Sequence, residues 1–347
     1  MVWRLTSPNS LPKDSEEKFM PNRPTSYRKL FSYASKTNDI IEKDLLNKIQ
    51  SDYEMYHIHD LKSFEDILNE KEIECPKCKS KNIKVHGYDE NAIKRYKCKD
   101  CLKTFNLFTN TLFTSSKINI KAWFAYLECL LSGTSVKAAC LTAKISLPTG
   151  SNWLNKIFIV LNNYQENIKL NKKIYIDETY VHVDSSDIVY FEEVGKIKKV
   201  KKQPRGISRN KICILLATDN THSFAEIVCK GRPQRLKNLQ ICSKHIERNS
   251  TMIGDEDTSL TLTANELNLN RVMVKSNTEE AYNELEPIDQ LCNRLKFFLN
   301  KHRGFLKDEL KNYLNLFIFI ENERNKNPDL YIMTKALLKM LFSYKKQ

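Results

Sequence analysis

The chain carries two hydrophobic rhythms, and the change from one to the other falls near residue 170. Before it, apolar positions recur at helical spacing. Leu30, Phe31, Tyr33, Ile40, Ile41, Leu45, Leu46 and Ile49 predict helix within residues 27–72, and a further helix is expected near Leu61–Leu68. Residues 1–26 are polar and proline-containing, the composition of a poorly ordered terminus. Ala122–Leu131 is apolar on most faces and predicts a buried helix. Ser135 can cap a helix bearing Val136, Ala139 and Cys140. After a break at Ile145–Pro148, a second helix carries Trp153, Ile157 and Phe158. Two short helices with a tight break suit a helix-turn-helix, whose second helix lies in a DNA major groove.

Beyond residue 170 the rhythm becomes that of strands. KKIYIDETYV is rich in β-branched and aromatic residues around an acid. KICILLATD and HSFAEIVCKG flank a polar turn near Asp219–Thr221 and predict a hairpin. A helix over Pro233–Ile246 starts with proline. The strand STMIGD, a helix over Thr258–Leu267 and the strand RVMVK follow, then helices over Glu280–Lys301 and Leu306–Asn322. The order β, β, β, α, β, α, β, α predicts an α/β domain, a mixed sheet flanked by helices. The expected organisation is a polar and helical region at 1–72, a cysteine-bearing ribbon at 73–108 and a helix-turn-helix region at 119–165. An α/β domain at 170–325 and a helical tail at 326–347 complete it.

Composition narrows the class. The 347 residues are enough for two or three domains. Hydrophobic residues at 41% and aromatics at 10% exclude a wholly disordered chain. No run of about 18 apolar residues occurs, so no membrane-spanning helix and no membrane partner are expected. The first residues have no apolar core of a secretory signal. The net charge of +14 points to a polyanion, without saying which.

The ten cysteines divide into two sets. Cys129, Cys140, Cys213, Cys229, Cys242 and Cys292 are scattered through mostly apolar runs and read as small buried hydrophobes of a reducing compartment. Cys75, Cys78, Cys98 and Cys101 form two Cys-x-x-Cys knuckles separated by nineteen residues. That pattern predicts one structural Zn²⁺ in a zinc ribbon, with the intervening stretch as a β-hairpin turning at Gly87–Asn91. His86 is expected on the hairpin surface. Lys94, Arg95, Lys97, Lys99 and Lys103 crowd the second knuckle with Tyr96 and Phe105 interleaved, a set suited to DNA phosphate contacts.

Three acids stand where a sheet would bring them together. Asp177 lies in or at the end of the first strand, Asp255 ends a later one, and Asp289 sits near the start of a long helix. Acids at strand ends meet in the crevice where an open sheet binds ligands. Three convergent carboxylates can hold two Mg²⁺ ions and support an in-line phosphoryl displacement. Lys296 follows Asp289 by seven residues, two helical turns, and can hold a phosphate on the same face. The run Val194–Lys211 holds eight basic residues and no acid. Its Lys198, Lys199, Lys201, Lys202 and Arg205 read as a sequence-independent DNA-phosphate clamp.

These pieces, in their order, resemble the zinc-ribbon DDE transposases of bacterial insertion sequences, the ISXO2-like group related to Merlin elements. The matching segments are CPKC, RYKCKDC and TF, the helix pair ending in Trp153, and DETYV. They continue with the basic stretch ending PRG, KGRP, GDEDTS and IDQLCNRLKFFL with HRGF. The resemblance covers roughly residues 73–322. It implies an RNase H-like catalytic domain that cuts and joins DNA at element ends with two Mg²⁺ or Mn²⁺ ions. It also implies a homodimer or larger synaptic complex on double-stranded DNA, working in bacterial cytoplasm or, in a eukaryotic host, the nucleus. Asp177 and Asp255 take the positions of the first two acids, Asp289 that of the third and Lys296 that of the following lysine. Asp replaces the usual Glu or Asn at the third position, with Glu284 and Glu286 as nearby rivals, and Asp257 competes with Asp255. Cys292 replaces a histidine often found before the lysine. These departures leave a catalytically inactive or domesticated DNA-binding protein as the alternative.

Overall fold

Chain-local signals build the elements, and the sheet then orders them. The computed structural model describes residues 73–88, 94–106, 108–114, 120–182, 211–231, 235–275, 279–302 and 305–344. The helices expected within 27–72 and the Val194–Lys211 run, Lys211 excepted, lie outside the described residues. All described residues fall in one compact unit, Asn69–Gln347. Among them, no helix is long and apolar enough to cross a membrane.

The ribbon is a three-stranded antiparallel sheet of β1 (Ile83–Tyr88), β2 (Lys94–Cys98) and β3 (Thr104–Asn106). Each knuckle turns back through a left-handed residue directly after its second cysteine, Lys79 at φ 60° and Leu102 at φ 60°. Asp100 ties the knuckles together by accepting from Ser80 Oγ and, at 2.9 Å, from Asn82 Nδ2. Tyr96 and Phe105 stack at 5.7 Å in a small core with Cys75 and Cys98. The two aromatics are therefore the ribbon's packing, not part of a phosphate-binding surface, while Lys94, Lys99 and Lys103 stay exposed. Ile73 and Ile83 pack against this core and complete it.

Three helices follow: α1 (Ile120–Leu131), α2 (Val136–Thr142) and α3 (Leu147–Leu161). Ser135 caps α2 by accepting from Ala138 N at 3.3 Å, and Ser146 caps α3 by accepting from Thr149 N. Trp123 of α1 stacks on Trp153 of α3 at 3.7 Å. Tyr126 Oη donates to the Gly150 carbonyl at 2.8 Å. Gly150 is where α3 meets α2, since a Cβ there would stand 2.1 Å from Cys140 Sγ.

The larger sheet has the strands β4 (Lys173–Val181), β5 (Ile212–Thr218), β6 (Ser223–Lys230), β7 (Thr251–Gly254) and β8 (Asn270–Met273). Their spatial order is β6-β5-β4-β7-β8. The hairpin side is antiparallel, whereas β4, β7 and β8 run parallel. This is the mixed sheet of an α/β domain that the element order predicts. Every residue of β5 is buried, so helices cover both faces. On one face α6 (Glu279–Lys301) crosses β4 and β5; α4 (Arg235–His245) and α5 (Thr258–Glu266) supply cover for the other.

The outer edge of β6 is closed by amide side chains. Asn322 of α7 (Leu310–Lys326) accepts from Ser223 N at 2.7 Å and donates to Ser223 O at 3.1 Å. Gln165 does the same for Ala225 at 2.7 and 3.1 Å, and also donates to Asn315 Oδ1. At Ser223 and Ala225, two residues apart, the amides thus satisfy the start of the edge as a further strand would. The final helix α8 (Leu330–Ser343) is packed interior rather than appendage. Its Phe342 stacks on Phe113 at 4.3 Å, which meets Trp123 edge-on at 4.8 Å.

The tight contact at Gly150 generates a test of this helical core. Gly150→Ala forces α2 and α3 apart and is expected to cost about 1–3 kcal/mol, the usual penalty of overpacking. Thermal denaturation of the variant beside the parent checks it, and an unchanged midpoint would contradict the close approach.

Candidate active site

Strand alternation decides where the acids of DETYV point. Asp177 is the fifth of nine residues in β4, inside the strand rather than at its end, and pairs with Leu216 across β5. Consecutive strand residues face opposite ways. Asp177 accordingly faces α6, where Cys292 Sγ lies 3.8 Å from its Oδ2. Glu178 faces α4 and α5, where Asn238 Nδ2 donates to its Oε1 at 2.6 Å and to Ser259 Oγ at 2.9 Å.

The parallel register of β4 and β7 brings the second acid in. Tyr175 pairs with Ile253, and carrying that register on by two residues sets Asp255 beside Asp177. The approach depends on Gly254, whose place a Cβ could not take without coming within 2.7 Å of the Ile176 carbonyl. Arg271 of β8 secures the same loop from the other side. Its guanidinium donates to the carbonyls of Met252, at 3.3 Å, and of Asp255.

Asp289 and Lys296 come from α6. Helical geometry places residues seven apart on one face, and both side chains are exposed there. Asp289 lies mid-helix, two residues past Pro287, rather than near a helix start. Four ionisable groups from three elements thus act on one another. Burial raises the Asp177 carboxyl to about 6. The Glu178 backbone N–H and Lys296 pull it down, while Asp255 and Asp289 push it further up. Burial likewise raises Glu178 to about 7, against the Asn238 hydrogen bond and with help from Asp257, Asp177 and Asp255. Burial also pushes the Cys292 thiol well above its ordinary range, Asp177 adding to the effect. Crowded, partly desolvated acids of this kind mark functional sites, because they work against folding unless something binds them.

Two of the rivals for the acidic positions, Asp257 and Glu286, have partners of their own. Asp257 is the N-cap of α5, its Oδ1 accepting from Ser259 N at 2.7 Å and Leu260 N at 3.2 Å. Glu286 accepts from Gln290 Nε2 at 2.7 Å. Asp289 is the α6 acid among the groups that act most on Asp177. Glu178, Asn238, Arg271 and Gly254 were not singled out from the sequence. The capping role of Asp257 has a local signal, an Asp directly before a helical run. The others depend on contacts between residues far apart in the chain, which no spacing records.

A second constellation is the four-cysteine cluster. The sulfurs of Cys75, Cys78, Cys98 and Cys101 all lie within 4.8 Å of one another, and could hold a metal ion. Cys75–Cys101 and Cys78–Cys98 are each 3.5 Å apart. Tetrahedral thiolates at about 2.3 Å from a Zn²⁺ ion would stand about 3.8 Å from each other, so the cage has the right size. The N–H of Cys78 is the chief cause lowering Cys75 to about 6, and that of Cys101 the chief cause lowering Cys98. For Cys78 the Ser80 N–H acts downward, but desolvation and the neighbouring sulfurs prevail and push it up to about 12. Four thiolates cannot share this space without a cation to neutralise them. His86 is exposed and outside the cluster.

No protein-family profile matches the chain. Over 108 residues it is 29% identical to an uncharacterized protein in transposable element ISH50 of Halobacterium salinarum. That match covers 31% of this chain and 36% of the relative, so the chain spans about a third of the length of the protein it matches. Among solved structures, the Mos1 strand transfer complex aligns with a TM-score of 0.30 at 14% identity, over 65% of this chain and 78% of that one. The catalytic domain of Mos1 mariner transposase aligns with a TM-score of 0.26 at 12% identity, over 56% and 93%.

The raised Asp177 value has a measurable consequence. An acid whose folded value stands above its ordinary 3.8 binds more protons folded than unfolded. Its burden on stability is therefore absent below pH about 4 and grows as pH rises through about 6. Asp177→Asn is expected to stabilise the fold by about 1–2 kcal/mol at pH 8 in buffer without added divalent ions. The gain should shrink toward zero at pH 4. Paired melts across that range check it, and a gain that grew on acidification would refute the burial of this carboxylate.

Proposed function

We propose that the chain is a DDE-type transposase of an insertion-sequence-like element. It binds the element's terminal inverted repeats, cleaves the 3′ strand ends and joins them to target DNA. The observation that carries this reading is the meeting of Asp177, Asp255, Asp289 and Lys296 from a central strand, a neighbouring strand end and one helix face. The relative's place in a transposable element supports it.

Asp177, Asp255 and Asp289 would hold two Mg²⁺ or Mn²⁺ ions, hard cations suited to carboxylate oxygens, which when bound supply Lewis acidity and a water of lowered pKa. The protein's own part is positioning. Gly254 and Arg271 hold Asp255 against β4, and the network of Glu178, Asn238 and Ser259 pins the back of the strand. Lys296, one face with Asp289, would hold a phosphate oxygen beside the acids. The Cys75, Cys78, Cys98 and Cys101 cage would hold one structural Zn²⁺. The α2–α3 pair would serve as a helix-turn-helix. Lys94 and Arg95 of the ribbon, with Lys198, Lys199, Lys201, Lys202 and Arg205, would grip phosphates without regard to sequence. Synapsis of two ends calls for a homodimer or larger assembly. The proposed compartment is bacterial cytoplasm, or the nucleus of a eukaryotic host.

The experiment is strand cleavage. Purified chain is incubated with duplex DNA carrying the element's end repeat and Mg²⁺ or Mn²⁺. The parent is expected to nick at the 3′ end, with activity falling at least a hundredfold in Asp177→Ala. Equal nicking by both, or none by either, leaves only a DNA-binding protein without catalysis.

For the cysteine cage the expected outcome is about one zinc per chain by elemental analysis, lost in Cys75→Ser/Cys98→Ser together with the cooperative unfolding of the ribbon. A parent chain free of zinc after expression in zinc-replete medium would remove the assignment.

A further inference from the structure

One helix face has a chemistry that the cleavage reaction does not use. The inner side of α3 is Gly150, Trp153, Leu154, Ile157, Phe158 and Leu161, all buried. Exposed on the helix are Leu147, Ser151, Asn152, Asn155 and Ile159, with Leu147 at 51% and Ile159 at 46%. At about 100° per residue Ser151, Asn155, Ile159 and Asn152 fall within an arc of about 100°, a single continuous face, while Leu147 stands at the helix start on the side of Leu154 and Phe158. The face carries no charged side chain. The helical region as a whole is basic: between residues 120 and 161 four lysines (Lys121, Lys137, Lys144 and Lys156) accompany one acid, Glu128.

We propose that this face reads base edges in the major groove of duplex DNA, with Asn152 and Asn155 contacting adenines of neighbouring base pairs. The inference rests on the chain acting on DNA and adds which bases its ends contain. The lysines of this region match a phosphate backbone in charge, which fixes the class of partner. The neutrality of the face then fixes the bases. Guanine is most often read by Arg or Lys on O6 and N7, and the face has neither. An Asn amide carries one acceptor and one donor side by side, the complement of adenine N6 and N7. Asn152 and Asn155 are three residues apart, about 4.5 Å along the helix, against about 3.4 Å between stacked base pairs. A helix lying slightly oblique in the groove therefore offers one Asn to each of two successive pairs.

Readout by neutral groups demands a rigid frame, because a displaced amide loses both bonds. The frame is present. Trp153 is stacked on Trp123, Tyr126 holds the Gly150 carbonyl, and Ser146 caps the first turn. All three contacts lie on the side of α3 away from the reading face or at its start.

The test is selection from a random-sequence duplex pool with the full zinc-loaded chain, read as the enriched motif. The parent is expected to enrich a site containing two adjacent A·T pairs. Asn152→Ala/Asn155→Ala should lose the adenine preference at those two positions roughly tenfold or more each, while keeping its affinity for the unselected pool. Lys137→Ala should weaken binding to every sequence alike. Both asparagines are exposed, and matching melts will show that the variants fold. The same motif from parent and double variant, or a guanine-centred motif, overturns the inference. A parent that enriches no duplex, including one whose α3 face instead captures protein, overturns it too. The selection is repeated with Asp177→Ala, which should keep the motif. A chain that selects the motif but never cleaves it sinks the transposase reading while leaving this one standing.

Discussion

A carboxylate on a strand paired on both sides cannot move aside, and much of this molecule is arranged around that constraint. Asp177 and Glu178 sit in β4, which is held by β5 along one edge and β7 along the other. A surface acid escapes burial by changing rotamer or fraying its helix. The backbone of these two cannot fray, and burial raises both, to about 6 and about 7. The neighbours divide the load by face. Toward α6 the compensation is Lys296 and the weak donor Cys292; toward α4 and α5 it is the buried amide of Asn238. Neither side neutralises its acid fully, which is the condition of a site that awaits positive charge.

The phase of α6 follows from a second buried charge. Glu321 of α7 is almost fully enclosed, yet Arg294 donates to one of its oxygens at 2.8 Å and Arg324 to the other at 2.5 Å. Removing one partner of such a group leaves an uncompensated charge inside the protein, a far larger penalty than a surface pair carries. The clamp therefore resists rotation of α6 about its axis. Asp289 and Lys296 lie on that helix, so the same clamp keeps both turned toward β4. Nothing in the local sequence marks Arg294 for this role. Its structural partner lies 27 residues away on another helix, beyond the reach of periodicity.

What the sequence made legible was local or periodic. The Cys-x-x-Cys spacing, the Ser135 cap of α2 and the strand around Asp177 each lie within a short window and have the predicted place in the structure, and Asp289 and Lys296 share one helix although Asp289 lies mid-helix. What was not legible is pairwise and distant. Gly254 looks like any strand-end glycine until β4 comes within contact of it. Asn238 and Arg271 look like solvated helix and strand residues until α4 packs and β8 pairs. Tyr96 and Phe105 could equally have met a nucleic acid, because a sequence shows that aromatics alternate with lysines and not which of them the ribbon needs for its core. The whole basic run at Val194–Lys211 carries charge without periodicity, and charge alone assigns no geometry.

The connection between α3 and β4 links the two readings of the chain. After Leu161 the chain makes one short 3-10 turn, Tyr164–Asn167, and enters β4 at Lys173. That turn is anchored rather than free. Gln165 is bonded to both backbone groups of Ala225, and the carbonyl of Asn162 accepts from Asn315 at 2.9 Å. The reading face of α3 and the carboxyl of Asp177 are thus ends of one braced segment, with no flexible linker between them. A DNA duplex seated on α3 would stand at a fixed offset from the acids. With α3 reading bases as proposed, recognition a set distance from the acids would decide which phosphodiester reaches them, and the acids themselves could be blind to sequence.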